Sequence, residues 1–216
     1  MPQLTFAPEI FDVSDIASAK RIILTPNGST TEERWVRETP YLADLIGKAL
    51  GITTASLILD YGCGIGRLSK ALIERFQCRI VGVDISPSMM TLSHVYVQSD
   101  KFFSCSGAML STMVERGVRF DGAFSVWVLQ HSPWPDQDIA LIKRALSRRS
   151  SCFVLNSKGR YVPTRECPWV NDGIDVKAML SQAFRLREEG LLPRDVTAQS
   201  THENSFWATF TNHKAP

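Results

Sequence analysis

The chain holds no two cysteines at C-x-x-C spacing, and its five cysteines, Cys63, Cys78, Cys105, Cys152 and Cys167, are odd in number. Both facts speak against a zinc site or a disulfide framework. Four of them stand in or beside apolar, strand-like runs. They read as small core residues in a reducing compartment, and a cytoplasmic location is expected. Histidine is scarce: beyond His131, the residues His94, His202 and His213 are isolated, without ligand spacing, so no metal is expected. No apolar run approaches the roughly 20 residues of a membrane span. The opening MPQLTFAPEIFDVSD lacks a basic start followed by an apolar core, so it does not read as a secretory signal. Neither sign of charge dominates: 24 Lys and Arg face 22 Asp and Glu, a net charge of +2. A protein that holds nucleic acid by counterion release is usually more basic. A nucleic-acid partner is therefore not favoured. No internal repeat or low-complexity segment is present.

Against these absences, 44% of the 216 residues are hydrophobic and 21% are charged. That is the balance of a globular chain able to bury a sizeable core. Residues 1–30 mix prolines and Gly28 with apolar residues and show no steady period, so they read as an irregular arm with a short helix at most. Ser29-Thr30-Thr31-Glu32-Glu33 then looks like a helix start, with a capping residue ahead of glutamates that suit the positive helix end. Trp35, Val36, Tyr41, Leu42, Leu45, Ile46, Ala49 and Leu50 step by three or four along it. Pro40 is expected to kink or divide this helix, and Gly51 to stop it.

From residue 57 strands and helices alternate. Strands are expected at 57–59, 79–83, 101–105, 120–128 and 152–155, and helices at 67–76, 87–96, 108–116, 136–148 and 174–184. Strand–helix alternation means parallel strands with helices on both faces. Residues 184–188 and 204–211 are two further strand-like runs with no helix expected between them. They are expected to pair antiparallel at one sheet edge. The domain reading is a helical lid or arm over 1–51 and an α/β domain over 52–216.

The strongest local signal is Leu57-Ile58-Leu59-Asp60-Tyr61-Gly62-Cys63-Gly64-Ile65-Gly66-Arg67. An apolar strand ends in an acid, three glycines follow at alternate positions, and a helix begins. Glycines let the backbone turn sharply and approach a ligand closely, and open α/β sheets bind ligands at this strand edge. The second strand ends at Asp84, whose carboxylate suits the two hydroxyls of a ribose. A dinucleotide fingerprint needs G-x-G-x-x-G, whereas Arg67 stands where its third glycine would be. An acid at position 60 would also repel a pyrophosphate. A ligand carrying an ammonium explains Asp60 better, and S-adenosylmethionine carries one beside its ribose and adenine.

This stretch resembles the first motif of the class I S-adenosylmethionine-dependent methyltransferases (type 11/12-like), apolar-apolar-acid-x-G-x-G-x-G. The resemblance runs over about 57–156. It implies a Rossmann-like three-layer α-β-α sandwich, a seven-stranded mostly parallel sheet of order 3-2-1-4-5-7-6 with an antiparallel last strand. It implies S-adenosylmethionine as cofactor, S-adenosylhomocysteine as product, and no metal. On the first strand and turn it places Asp60, Tyr61, Gly62, Cys63, Gly64 and Gly66 at the cofactor, and beyond the second strand Asp84 and Ile85. The family often has an acid after the third strand to hold the adenine amino group. Here the run is Ser104-Cys105-Ser106-Gly107-Ala108, without an acid, so Ser106 or a backbone carbonyl takes that place, with Gly107 and Ala108 beside it. Met89 and Met109 are candidates for the adenine faces or for core filling.

Phe120 to His131 is similar to the family's F-D-x-V-x-S-x-x-V-L-x-H stretch. It brings backbone at Ser125 and Val126 to the methionine part of the cofactor and His131 to the pocket mouth. An imidazole titrates near neutral pH and can take a proton from a nucleophile; His131 equally reads as a ring that only lines the pocket. No N/D-P-P-aromatic sequence follows the fourth strand, which argues against amino-methylating DNA enzymes. No cysteine lies near 125–135, which argues against cytosine-5 methylation. The acceptor pocket is expected under about 10–46, 131–137 and 157–173, with Phe11, Trp35, Tyr41, Trp134, Asn156, Tyr161 and Trp169 as candidate contacts. Arg34, Arg37, Lys158, Arg160 and Arg165 add positive charge near that rim. The expected activity is methyl transfer to an oxygen or nitrogen of a small or medium-sized acceptor. A methyltransferase acting on RNA or protein, and a non-catalytic cofactor-binding module, are the alternatives.

Overall fold

The computed structural model describes residues 5–212; His213 lies outside them. A short 3-10 turn at Pro8–Phe11 precedes α1, Ile16–Ile23, which opens with an Asp15–Ser18 capping box. The long helix α2, Thr31–Leu50, starts on a second capping box, with the Thr30 amide donating to Glu33 at 2.7 Å. Such reciprocal caps satisfy donors that the first turn leaves free. Pro40 neither ends nor divides this helix. A proline removes one bond to the carbonyl four residues back; here that residue is Val36, which is 70% exposed. Gly51, at φ +61°, closes the helix in the left-handed conformation.

The sheet comprises β1 Leu57–Tyr61, β2 Arg79–Val83, β3 Phe102–Cys105, β4 Phe120–Val126, β5 Leu146–Ser157, β6 Arg185–Gly190 and β7 Ser205–Thr211. Its order is β3-β2-β1-β4-β5-β7-β6. β1 to β5 run parallel, and β7 pairs antiparallel with both β5 and β6. Helices α3 Arg67–Phe76, α4 Pro87–Val97, α5 Gly107–Glu115, α6 Pro135–Ala145 and α7 Val176–Ala183 connect the strands. Alternate strand residues supply the two faces. In β1, Leu59 and Tyr61 join the core under α5, α6 and α7, while Ile58 joins the core under α2 and α3.

Two expectations differ from the structure. The helix expected to reach 148 ends at Ala145, and β5 begins at Leu146. Leu146 pairs with Phe120, and a bulge then shifts the register so that Gly122 meets Ser151. Pairing with β4 thus takes residues that local pattern would leave helical. The link between β6 and β7 carries a helix, α8, Gln199–Asn204. Its six residues, QSTHEN, have no apolar period to read; tertiary bonds such as His202 to the Leu192 carbonyl at 2.6 Å hold it. Among the described residues no helix is long and apolar enough to cross a membrane.

Candidate active site

The glycine turn is built by its neighbours. The amides of Gly62 and Cys63 both donate to the Val83 carbonyl, at 2.7 and 2.9 Å, which ties the turn to the end of β2. Gly62 has φ +84°, and a Cβ there would lie 2.1 Å from the Val128 side chain. Only glycine meets both conditions. Asp84, at the tip of β2, accepts from the Gly64 amide at 2.7 Å and from the Ser86 amide at 3.0 Å. Burial pushes its carboxyl up, opposed by those hydrogen bonds.

Asp60 is 4% exposed and accepts from the Ser69 hydroxyl at 2.7 Å. Burial pushes its pKa up to about 7, against the Ser69 bond. Tyr61 donates to Asp138 on the first turn of α6, and Ser132 donates to the other Asp138 oxygen. Burial and the Asp138 charge push the Tyr61 hydroxyl far up, so it stays protonated.

A cavity of about 780 Å³ opens at this edge of the sheet. Its wall holds Asp60, Tyr61, Gly62, Cys63, Gly64, Asp84, Ile85, Gly107, Val126, His131 and Tyr161, all singled out in the sequence. The other predicted positions lie off that wall. Gly66 caps α3 and Ser106 caps α5, accepting from the Met109 amide at 3.3 Å; Ala108 follows inside α5. Ser125 is 1% exposed and donates to the Tyr61 carbonyl at 3.0 Å, so it stiffens the β1–β4 pair. Trp35 is buried with its indole N–H on the Tyr96 hydroxyl at 3.1 Å. Tyr41 packs into the core under α2 and α3. Asn156 is 1% exposed and accepts from the Gln130 amide at 3.0 Å. Trp35 and Asn156 turn inward because burial and an available hydrogen-bond partner outweigh a place at the rim.

The wall also holds residues that sequence reasoning did not single out: Arg67, Trp127, Gln130, Asp138 and, from α8 and its end, Ser200, Thr201, Asn204 and Ser205. Trp127 carried a readable signal, since it lies directly after a strand at the ligand edge. The α8 residues carried none.

His131 sits in a chain of bonds that sets its tautomer. The Ser157 backbone amide donates to Oε1 of the Gln130 side chain at 2.7 Å, which fixes the orientation of that side-chain amide. The Gln130 NH₂ therefore faces His131 Nε2, at 3.2 Å, and His131 Nδ1 faces the Tyr161 carbonyl at 2.7 Å. A carbonyl only accepts, so Nδ1 carries the hydrogen and Nε2 the lone pair. Burial lowers the His131 pKa, which keeps the ring neutral. Phe11, Trp169 and Tyr161 surround it, with ring centroids at 5.8, 5.4 and 6.5 Å.

The residues fit the cofactor that the sequence motif implies. The glycine turn lies bare on the cavity wall, and acids stand at the ends of β1 and β2 beside it. Residues 58–149 match the family model described as a methyltransferase domain. An uncharacterized methyltransferase of Schizosaccharomyces pombe is 28% identical over 130 residues, 57% of this chain and 45% of that protein. The chain thus matches about half the length of that curated relative. Among solved structures, N-methyltransferase NodS from Bradyrhizobium japonicum, in complex with S-adenosylhomocysteine, superposes with a TM-score of 0.62 at 17% identity, covering 83% of this chain and 88% of NodS. The [4+2]-cyclase SpnF superposes with a TM-score of 0.64 at 13% identity, covering 82% of each chain. At such identities the two structures establish the fold alone. The motif, the sheet order and the methyltransferase-domain match over residues 58–149 together make the chain similar to the class I S-adenosylmethionine-dependent methyltransferases.

Proposed function

We propose that the protein transfers a methyl group from S-adenosylmethionine to an oxygen or nitrogen of a small or medium-sized acceptor. One observation carries this reading: the acids that end β1 and β2 flank a glycine turn on the wall of a 780 Å³ cavity whose other wall is aromatic. When bound, the cofactor supplies an electrophilic methyl group on a sulfonium. Asp84 holds the ribose hydroxyls while its other contacts brace the turn. Asp60 faces the ammonium end. Gly62, Cys63 and Gly64 let the backbone come close, Tyr61 and Val126 flank the methionine part, and Ile85 and Gly107 flank the adenine. The N-terminal arm up to residue 51 serves as the lid, and among its described residues Phe11, Ile22 and Ile23 are some of those that reach the cavity. The surrounding aromatics exclude water and orient the acceptor, and positioning supplies a large part of the rate.

His131 lies at the acceptor end beside Tyr161. Its neutral ring is in the right state to accept a proton, but Gln130 occupies the Nε2 lone pair. An acceptor O–H or N–H takes up that lone pair by displacing the Gln130 amide.

A net charge of +2 supports a small acceptor over RNA, and the reading includes a cytoplasmic location. The fold is shared with the [4+2]-cyclase SpnF. The test must therefore detect the methyl group itself. Labelled S-adenosylmethionine is offered with panels of small hydroxyl and amine acceptors and, separately, with RNA and protein. Label on a small acceptor supports the reading; label only on a macromolecule replaces it. No S-adenosylhomocysteine binding at high micromolar ligand in calorimetry rejects it.

A further inference from the structure

Aromatic side chains gather at the acceptor end of the cavity, and two segments far apart in the chain supply most of them. Phe6 and Phe11 come from the N-terminal arm, Tyr161 and Trp169 from the loop after β5, and Trp134 from the N-cap of α6. The arm and the loop are stitched together. Phe6 forms an antiparallel bridge with Thr164, the Ala7 amide donates to the Pro163 carbonyl at 3.0 Å, and Val162 bridges Val170. Backbone bonds thus fix where the rings stand. Phe11, Tyr161 and Trp169 surround His131, and Phe6 meets Trp134 edge-on, with centroids 6.0 Å apart. These rings are not all core: Trp134, Trp169 and Tyr161 are 56, 45 and 43% exposed. Large aromatic surface left open on a cavity wall is what a flat apolar ligand covers.

The charged groups that brace this end already have partners. On the loop after β5, Arg160 is buried; its Nε and Nη2 donate to the two Asp172 oxygens, each at 3.1 Å, and its Nη1 to the Leu129 carbonyl at 2.7 Å. Arg165 reaches Glu9 at 3.0 Å, Lys158 donates to the Glu203 carbonyl at 2.6 Å, and Glu166 accepts from the Thr5 amide at 2.8 Å. Lys158, Arg160 and Arg165, positive charge on the rim as the sequence reads, are thereby turned to other partners. On α6, Asp138 has one oxygen on Tyr61 and the other on Ser132. The two guanidinium groups on the cavity wall make their contacts beside α2. Arg34 closes on Glu38 at 2.8 Å, and Arg67 bonds to the Thr39 hydroxyl at 3.4 Å and lies 5.5 Å from the Trp35 ring. His131 is itself neutral. A charged acceptor body would leave water here without gaining a counter-ion, which is costly.

We propose that the acceptor is an uncharged aromatic molecule, its ring lodged among Phe11, Tyr161 and Trp169 and its nucleophilic group toward His131. Offset and edge-to-face contacts with these rings fix the plane of the acceptor, and the apolar wall supplies its affinity. The inference rests on the methyl-transfer reading and narrows it. Carboxylic acids, phosphates and alkylamines are charged at neutral pH and fit this end poorly.

Calorimetry at neutral pH with three matched probes tests the proposal. Naphthol is uncharged, naphthoate is an anion and naphthylmethylamine a cation, all on one ring system. Each is titrated into the protein with and without saturating S-adenosylhomocysteine. Naphthol is expected to bind about ten-fold or more tightly than either charged probe. Trp169→Ala and Tyr161→Ala are each expected to weaken naphthol binding about three-fold or more. Both side chains are partly exposed, so the variants keep the fold, which circular dichroism checks. A charged probe that binds as tightly as naphthol overturns the proposal. Naphthol binding that both variants leave unchanged also overturns it. Failure of the wild type to bind S-adenosylhomocysteine is a separate result: it removes the cofactor reading, while the ranking of the probes still decides the chemistry of this end.

Discussion

The Gly64 amide donates to the Asp84 carboxylate at 2.7 Å, across 20 residues of sequence. The acid that ends β2 therefore holds the turn that follows β1, and the ligand site has its shape before any ligand arrives. Asp84→Ala removes both this brace and the proposed ribose contact. S-adenosylhomocysteine affinity is expected to fall by about 1–3 kcal/mol, the range for hydrogen bonds to a charged group. Calorimetric titration reads this directly, and an unchanged affinity means that the ribose is held elsewhere.

Gly62→Ala is expected to destabilise the protein by about 2–4 kcal/mol, from the left-handed backbone and from overpacking. The added methyl would meet Val128 at 2.1 Å. Val128→Ala in the same chain should restore part of the loss in a denaturant melt, because the two sites touch. An additive pair of effects would show that the clash plays no part.

Asp60 makes stability depend on pH. Its pKa rises from 3.8 to about 7 on folding, chiefly through burial. Between those values the folded state binds the proton and the unfolded state does not, so this residue's contribution falls as pH rises from about 4 to 7 and is level above. Asp60→Asn should flatten that part of the melting profile. Near pH 6, S-adenosylhomocysteine should also release protons on binding, since an ammonium favours the ionised acid. Titration in buffers of different ionisation enthalpy detects the release.

His131→Gln is expected to reduce turnover by about 100-fold, the scale of acid–base catalysis. S-adenosylhomocysteine affinity should stay within about two-fold, since the ring sits at the acceptor end in this reading. Turnover near the wild-type value would leave the ring a wall of the pocket and nothing more.

Four cysteines are buried and Cys167 is exposed. Cys63 and Cys152 are held up by burial, Cys152 to about 12. A thiol reagent should therefore modify Cys167 rapidly in the native protein and the remaining cysteines only on unfolding. Cys167→Ser should abolish the fast phase.

The motif from Leu57 to Arg67 was legible because strand, turn and helix adjoin in the chain. The antiparallel edge pair was legible because β6 and β7 follow one another without a long apolar helix between them. Pro40 does not divide α2, and the residue whose carbonyl it frees, Val36, is exposed, where water can take the bond. Trp35, Tyr41 and Asn156 lie off the cavity wall, because Trp35 and Asn156 bond to partners inside and Tyr41 packs against the core under α2 and α3.

The sequence by itself determined the α/β alternation, the glycine turn and the two acids beside it. Those features depend on local pattern and backbone chemistry. The tertiary structure alone decided the far side of the cavity. Gln130 fixing His131, Tyr61 reaching Asp138, and Arg67 and Trp127 left with donors to spare all join residues from separate elements. Whether a buried polar group is satisfied depends on which distant atoms fold against it, and periodicity along the chain carries no record of that.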